Sequence, residues 1–105
     1  YAWSFVVEEE VALSHPPRIA PNPFADEVDV MIYLGQEAEV KIRIYDFNQR
    51  LVATVPTESL LPGRQRISLT DAFAPFGRGV YLVQILVEAG DSQRVSKVLK
   101  AAKVR

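Results

Sequence analysis

Apolar and polar residues alternate with a period of two along most of the chain, the pattern of β-strands with one buried face. The segment EVKIRIYD is the cleanest case, with Val40, Ile42 and Ile44 on one face and polar or amphipathic residues on the other. Other segments place the following apolar residues on one face: Val28, Val30, Ile32 and Leu34; Ile67 and Leu69; Tyr81, Val83, Ile85 and Val87. The pattern predicts several short strands around one core.

Turn-forming residues separate these segments. Gly35 with Gln36, the Pro62-Gly63 pair and the loop DAFAPFGRG each interrupt the alternation. In the turn DFNQR, Asp46 or Asn48 can hydrogen-bond the nearby backbone, and asparagine tolerates a left-handed conformation, so we expect the turn to be built around Asn48. No helical periodicity exceeds about one turn. The sequence therefore predicts an all-β fold, an immunoglobulin-like antiparallel β-sandwich of about seven strands.

The first part of the chain has a different character. The segment YAWSFVVEEE alternates large apolar residues with smaller ones, and four prolines follow between residues 16 and 23. Because proline cannot donate a backbone hydrogen bond, residues 14–23 are predicted to be a stiff connector with at most a short edge strand. We expect residues 1–17 to be the last strand of a preceding domain plus this linker, and residues 18–105 to be the sandwich. The alternative is that the first strand adds to the sandwich as an edge strand.

Composition narrows the classes of function. The 105 residues suffice for one core, and 12 basic against 13 acidic residues give no general attraction to nucleic acid. Cysteine is absent, so disulfides and thiolate sites are excluded. No apolar run approaches the roughly 20 residues that a membrane-spanning helix needs. The sequence lacks a signal-peptide pattern and begins with Tyr1, so we expect a fragment of a longer protein.

Residues that perform catalysis are scarce. His15 precedes two prolines and has no nearby partner for a metal, and Glu8, Glu9 and Glu10 fit a solvated linker better than a cation site. No nucleophile elbow or phosphate-binding glycine loop is present. We therefore expect no enzyme, no cofactor and no metal site. A weak carbohydrate site remains an alternative, because Tyr33 and Tyr45 lie on the polar face of their strands and Trp3 and Tyr81 are further aromatic candidates.

The end of the chain is basic. No acidic residue follows Asp91, and these cations do: Arg94, Lys97, Lys100, Lys103 and Arg105. One interpretation is an edge strand that lysines protect from aggregation. The other is a basic tag that a protein or an anionic surface recognises. Charge alone favours the first interpretation.

The order of short motifs along the chain gives a further indication of function. The segments IAPNPF, VKIRIYDFNQRLV, PGRQRISL, GRGVYLVQI and SKVLKAAKVR follow one another in the chain. In this order they resemble the type A C-terminal sorting domain of the Por (type IX) secretion system of Bacteroidetes, over about residues 19–100. That family has a small immunoglobulin-like fold related to a domain of a flagellar hook-capping protein. The family usually has a glycine where this chain has Gln49.

The resemblance assigns candidate recognition residues. They are Pro21, Asn22 and Pro23 of the Pro-Asn-Pro motif, Gly79, Val80 and Tyr81 of the Gly-x-Tyr motif, and Lys97, Val98 and Lys100 of the closing lysine motif. Ile44 to Asp46 and Arg50 to Val52 match the family's strand end and strand restart. Independently of the resemblance, Gly79 fits a conformation or a close approach that a side chain would block. For Tyr81, core packing and recognition both remain open.

By resemblance, the domain is a non-enzymatic signal that directs an exported cargo across the outer membrane. The implied partners are the type IX translocon, a sortase-like surface peptidase and the N-terminal cargo domains of the same chain. The peptidase would remove the domain between about Val7 and Arg18 and join the cargo to lipopolysaccharide, so the implied location is secreted or at the cell surface. The alternatives are an accessory immunoglobulin-like spacer or weak carbohydrate-binding module of a surface protein, and a hook-cap-like assembly module.

Overall fold

The computed structural model describes residues 13–90 and 93–105. These residues form seven strands and one short helix: β1 Leu13–Ala20, β2 Asp29–Leu34, β3 Ala38–Tyr45, β4 Leu51–Leu60, β5 Gly63–Ser68, α1 Thr70–Phe73, β6 Gly79–Ala89 and β7 Gln93–Lys103. Within this part of the chain, no helix is long and apolar enough to cross a membrane.

The strands form two antiparallel sheets. One sheet has the order β1-β2-β5 and the other the order β4-β3-β6-β7. The chain crosses from the first sheet to the second after β2, returns for β5 and crosses again before β6, as immunoglobulin-type sandwiches do. The predicted all-β sandwich of about seven strands is confirmed.

The core lies between the two sheets and follows the predicted alternation. In β3, Val40, Ile42 and Ile44 are buried, and the residues between them are half-buried on the outer face. The other predicted core positions are buried in the same way, namely Val28, Val30, Ile32, Leu34, Ile67, Leu69, Val83, Ile85 and Val87. Because side chains alternate strictly between the faces of a strand, this apolar set also fixes the register of each pair of strands.

Helix α1 closes one end of the sandwich. The N–H of Leu69 donates to the carbonyl of Val28 (2.9 Å), and the N–H of Val28 donates to the hydroxyl of Thr70 (3.2 Å). These bonds join the start of α1 to the segment before β2. Phe73 is 1% exposed, so the helix contributes an aromatic ring to the core.

The proline-containing segment is longer as a strand than the sequence predicts. Leu13–Ala20 pairs with β2, with register shifts between Leu13 and His15 and between His15 and Arg18. Pro16 and Pro17 lie in this edge strand, where a missing N–H interrupts only one ladder. The prediction for residues 14–23, a stiff connector with at most a short edge strand, is therefore wrong in the length of that strand, which has eight residues. The strand predicted at the start of the chain and Glu8 to Glu10 lie outside the described residues, and the domain boundary between residues 17 and 18 stays a prediction.

Candidate functional site

Strand β7 lies at one edge of the four-stranded sheet. It pairs with β6 from Gly79 opposite Lys103 to Ala89 opposite Gln93, with no register shift. On its other side no strand of residues 13–90 or 93–105 follows. The last strand therefore presents one edge of its backbone away from the sheet.

Asn22 binds this outer edge of β7. Its side-chain Nδ2 donates to the carbonyl of Lys100 (2.8 Å), and its Oδ1 accepts from the N–H of Ala102 (3.1 Å). One amide thus satisfies an acceptor and a donor two residues apart, as a neighbouring strand would. The peptide bonds before the two prolines of the motif, Ala20-Pro21 and Asn22-Pro23, are cis. The Pro-Asn-Pro motif and the lysine motif, far apart in the sequence, are in direct contact.

Phe24 extends this contact through its backbone. Its N–H donates to the carbonyl of Ala102 (2.9 Å), and its carbonyl accepts from the N–H of Val104 (2.9 Å), which makes a parallel bridge with Lys103. Its ring is 1% exposed and meets Phe73 edge-on, with centroids 4.9 Å apart. The backbone of Phe24 thus pairs with the C-terminal end of β7 while its side chain anchors the segment in the core.

The Gly-x-Tyr motif opens β6 beside the same end of β7. Gly79, Val80 and Tyr81 pair with Lys103, Ala102 and Ala101. Gly79 has φ +155°, and a Cβ placed there would be 3.8 Å from a ring carbon of Tyr81, an ordinary contact. Of the two expected reasons for this glycine, its conformation is therefore the one that the structure supports.

Tyr81 is half-buried in a cluster of aromatic rings. It stacks on Phe76 (centroids 5.5 Å apart) and meets Phe73 at 5.3 Å. Its hydroxyl donates to the carbonyl of Gly77 (2.9 Å). Tyr81 packs against the core together with Val83, Ile85 and Val87, although only those three are fully buried.

The three residues of the lysine motif do not share one face. Lys97 pairs with the buried Ile85 and therefore lies on the core-facing side of β7. Its side chain is nevertheless exposed, because β7 lies at the edge of the sheet. Val98 is 57% exposed on the opposite face, and Lys100, also exposed, lies on that face opposite Leu82. An inward-facing lysine is a known device against edge-to-edge pairing of strands.

Lys103 has a structural role that the sequence did not reveal. Its Nζ donates to the carbonyls of Phe73 (2.8 Å) and Phe76 (2.6 Å). The Phe73 carbonyl belongs to the last residue of α1 and also accepts from the N–H of Phe76 (3.0 Å), whereas the Phe76 carbonyl lies in the loop that follows α1. In the sequence Lys103 is one of a series of cations, and its parity with Ala101 was the only available sign that it faces inward.

The turn between β3 and β4 is organised by Asp46, so the expectation for Asn48 was wrong. Oδ1 of Asp46 accepts from the N–H groups of Asn48 (2.8 Å) and Arg50 (2.9 Å), and Oδ2 accepts from the Arg50 guanidinium (3.2 Å). The hydrogen bond from the Arg50 N–H is the main cause that lowers the pKa of the Asp46 carboxyl below 3.8. Gln49, at the position of the family's glycine, adopts the left-handed conformation with φ 67°.

The remaining candidates from the sequence are the histidine and the other aromatic residues. In the described part of the chain, no group of three or more His, Asp or Glu side chains could hold a metal ion. His15 pairs through its backbone with Tyr33, which is half-buried. The hydroxyl of Tyr45 donates to Oε1 of Gln84 (3.2 Å) beside a shallow hollow that Leu82 and Val98 also line. Trp3 lies outside the described residues.

Residues 18–101 match the protein family described as the secretion system C-terminal sorting domain. The chain belongs to this family. A comparison with curated proteins gave no match. The match covers the Pro-Asn-Pro motif, the Gly-x-Tyr motif and the lysine motif. The structure places the Gly-x-Tyr motif on β6 and the lysine motif on the adjacent β7, and the Asn22 side chain contacts β7.

A member of this family is a C-terminal sorting signal for type IX secretion, as the motif order suggested. It marks a protein for export to the cell surface or for release, and it acts with the type IX machinery and with a cargo chain. Domains of this family are generally non-catalytic. No finding points to the spacer or carbohydrate-binding alternative.

Proposed function

We propose that the type IX translocon recognises this sorting domain through strand β7, at Lys97, Val98 and Lys100. All three side chains are exposed, and none of them makes a hydrogen bond or ion pair within the described residues. The residues of the other two motifs contact β7 itself and hold it in place. The chain itself performs no catalysis in this proposal.

The observation that carries the proposal is the contact of Asn22 with Lys100 and Ala102. It explains why a Pro-Asn-Pro motif near the start of the domain accompanies a lysine motif near its end. Asn22 and Phe24 hold the C-terminal half of the β7 edge, and Gly79 to Tyr81 pair with it from the other side. In this proposal, the nine motif residues therefore divide into six that position β7 and three that are recognised.

The structure also bears on where a sortase-like peptidase acts. Residues 13–20 pair with β2, so cleavage within them would remove an edge strand from the sandwich. We therefore place the proposed cleavage N-terminal to Leu13, in the first half of the expected interval between Val7 and Arg18. The separated sandwich then keeps all seven of its described strands.

The whole chain fused to the C-terminus of a fluorescent reporter, in a type IX-competent host, tests the recognition proposal. We expect the double variant Lys97→Gln and Lys100→Gln to reduce surface reporter by about tenfold, the loss of about 1.4 kcal/mol of binding free energy. Lys41→Gln is the matched control, because Lys41 lies on the outer face of β3 and makes no ion pair with any described residue. Export of the double variant at the level of the control would refute the proposal.

A further inference from the structure

We infer that the outer edge of β7 between Ser96 and Lys100, which no described residue covers, binds an extended acidic segment of the recognising protein as an additional β-strand. The inference rests on the proposed function and adds the mode of binding. It starts from the backbone of β7, whose outer-edge groups are only partly satisfied within the described chain.

The direction of these backbone groups follows from the contacts of Asn22 and Phe24. They bind Lys100, Ala102 and Val104, and the N–H and carbonyl groups of alternate residues point to the same side of a strand. Ser96 and Val98 share this parity, so their N–H and carbonyl groups, and the N–H of Lys100, face outward. In the described part of the chain none of these outward groups has a hydrogen-bond partner.

The other edges of the two sheets are less suited to strand addition. Strand β1 contains Pro16 and Pro17 and has two register shifts, and β4 contains Pro56 and also shows two shifts. Strand β5 is only six residues long. Strand β7 has eleven residues, no proline and an unshifted ladder with β6, so its backbone is regular enough to template another strand.

The chain already adds a short piece to this edge itself. The bridge between Phe24 and Lys103 is parallel, and the Asn22 side chain continues it by one position toward Lys100. The part of the edge that Asn22 and Phe24 cover ends at the carbonyl of Lys100. The part that no described residue covers begins at the N–H of the same residue. An incoming strand of about four or five residues would fill the remaining edge and abut Asn22.

Side chains indicate the chemistry of the incoming segment. Lys97 and Lys100 project on opposite faces of β7, and the exposed Val98 lies between them. Opposite charges and apolar pairs across neighbouring strands stabilise a sheet, and like charges directly opposite destabilise it. A segment with acidic residues opposite the two lysines and an apolar residue opposite Val98 is therefore favoured. A second copy of β7 is disfavoured, because it would bring lysines to the same edge.

Val98→Pro tests the backbone part of this inference. Proline removes the outward N–H and leaves the bonds between β6 and β7, so it is compatible with an edge strand. Val98→Thr keeps the N–H and the β-branched shape and is the matched control. With the whole chain fused to a reporter, we expect surface export to fall about tenfold for Val98→Pro and only about threefold for Val98→Thr, because threonine loses part of the apolar contact but keeps the outward N–H.

Hydrogen exchange of the unsubstituted chain gives a second measurement, which does not depend on the folding of a variant. The outward amides of Ser96, Val98 and Lys100 should exchange rapidly in the free chain and slow by at least about tenfold when purified type IX translocon is bound. Unchanged exchange of these amides in the complex overturns strand addition. So does full export of a folded Val98→Pro variant.

The two proposals fail separately. If the lysine double variant loses export but Val98→Pro does not, the β7 side chains are recognised without strand addition. If neither change affects export, recognition through β7 is wrong. Folding of each variant is checked by thermal unfolding followed by circular dichroism.

Discussion

Asn22 and Lys100 are 78 residues apart in the sequence, and the side-chain Nδ2 of Asn22 donates to the carbonyl of Lys100 at 2.8 Å. The same side chain accepts from Ala102, so a single amide completes part of a strand edge. Backbone edges that no strand covers invite mispairing. Asn22 protects one part of the β7 edge and thereby delimits the part that remains available.

Asn22→Ala tests this contact. It removes two hydrogen bonds to backbone groups of β7, and because the site is exposed we expect a loss of about 1–2 kcal/mol in the free energy of unfolding. The Ala102 amide should exchange faster with solvent. Asn48→Ala is the control, since the Asn48 side chain makes no hydrogen bond in the described structure. Equal stability of the two variants in urea titrations would argue against the contact.

The alternating pattern predicted the buried faces because burial on a strand depends on local parity. The burial of Val40, Ile42 and Ile44 could therefore be predicted without knowing which strands pair with β3. The contact of Asn22 with Lys100 depends on which strand lies at the sheet edge, and the local pattern carries no such information. The inward parity of Lys97 was in the sequence, but its exposure depends on the same edge position. The resemblance named the motifs, but it did not show that Asn22 of the first motif contacts Lys100 of the last.

Lys103→Met should destabilise the sandwich, and it leaves the exposed lysines of the lysine motif unchanged. The methionine fills similar space, but the Phe76 carbonyl loses its donor and the Phe73 carbonyl keeps only the N–H of Phe76, in a half-buried site. We expect a loss of about 1–3 kcal/mol in unfolding free energy, measured by urea denaturation. Lys100→Met is the control, because its Nζ has no partner in the described chain. A control as destabilised as Lys103→Met would contradict the assigned role.

The turn between β3 and β4 should lose stability in acid through Asp46. Its pKa is lowered in the folded chain, mainly by the hydrogen bond from the Arg50 N–H, so the ionised form is favoured by folding. This contribution is complete above the carboxyl's ordinary value of 3.8 and is lost as the pH falls through the lower folded value. Asp46→Asn should show a flatter dependence of melting temperature on pH below that value. An unchanged slope would contradict the assignment.

Gln49→Gly should stabilise the same turn. Gln49 has φ 67°, a conformation that costs a non-glycine residue about 1–2 kcal/mol, partly offset by the greater backbone entropy that glycine loses. We expect a net gain of about 0.5–1 kcal/mol in urea titrations. Asn48→Gly, at a neighbouring position without a positive φ, should give no gain. A gain of similar size at both positions would point to a cause other than backbone conformation.

Two substitutions of Tyr81 distinguish a role in core packing from a role in recognition by a partner. Tyr81→Phe keeps the ring contacts with Phe73 and Phe76 and removes only the hydrogen bond to Gly77, so we expect a loss of about 0.5–1.5 kcal/mol and unchanged export. Tyr81→Ala removes the ring, and we expect a loss of about 2–3 kcal/mol, below the range for a fully buried aromatic residue. If packing is the whole role, export of both variants should follow their folded fraction at the growth temperature. A Tyr81→Phe variant that melts with the unsubstituted chain but is not exported would show instead that a partner binds the hydroxyl.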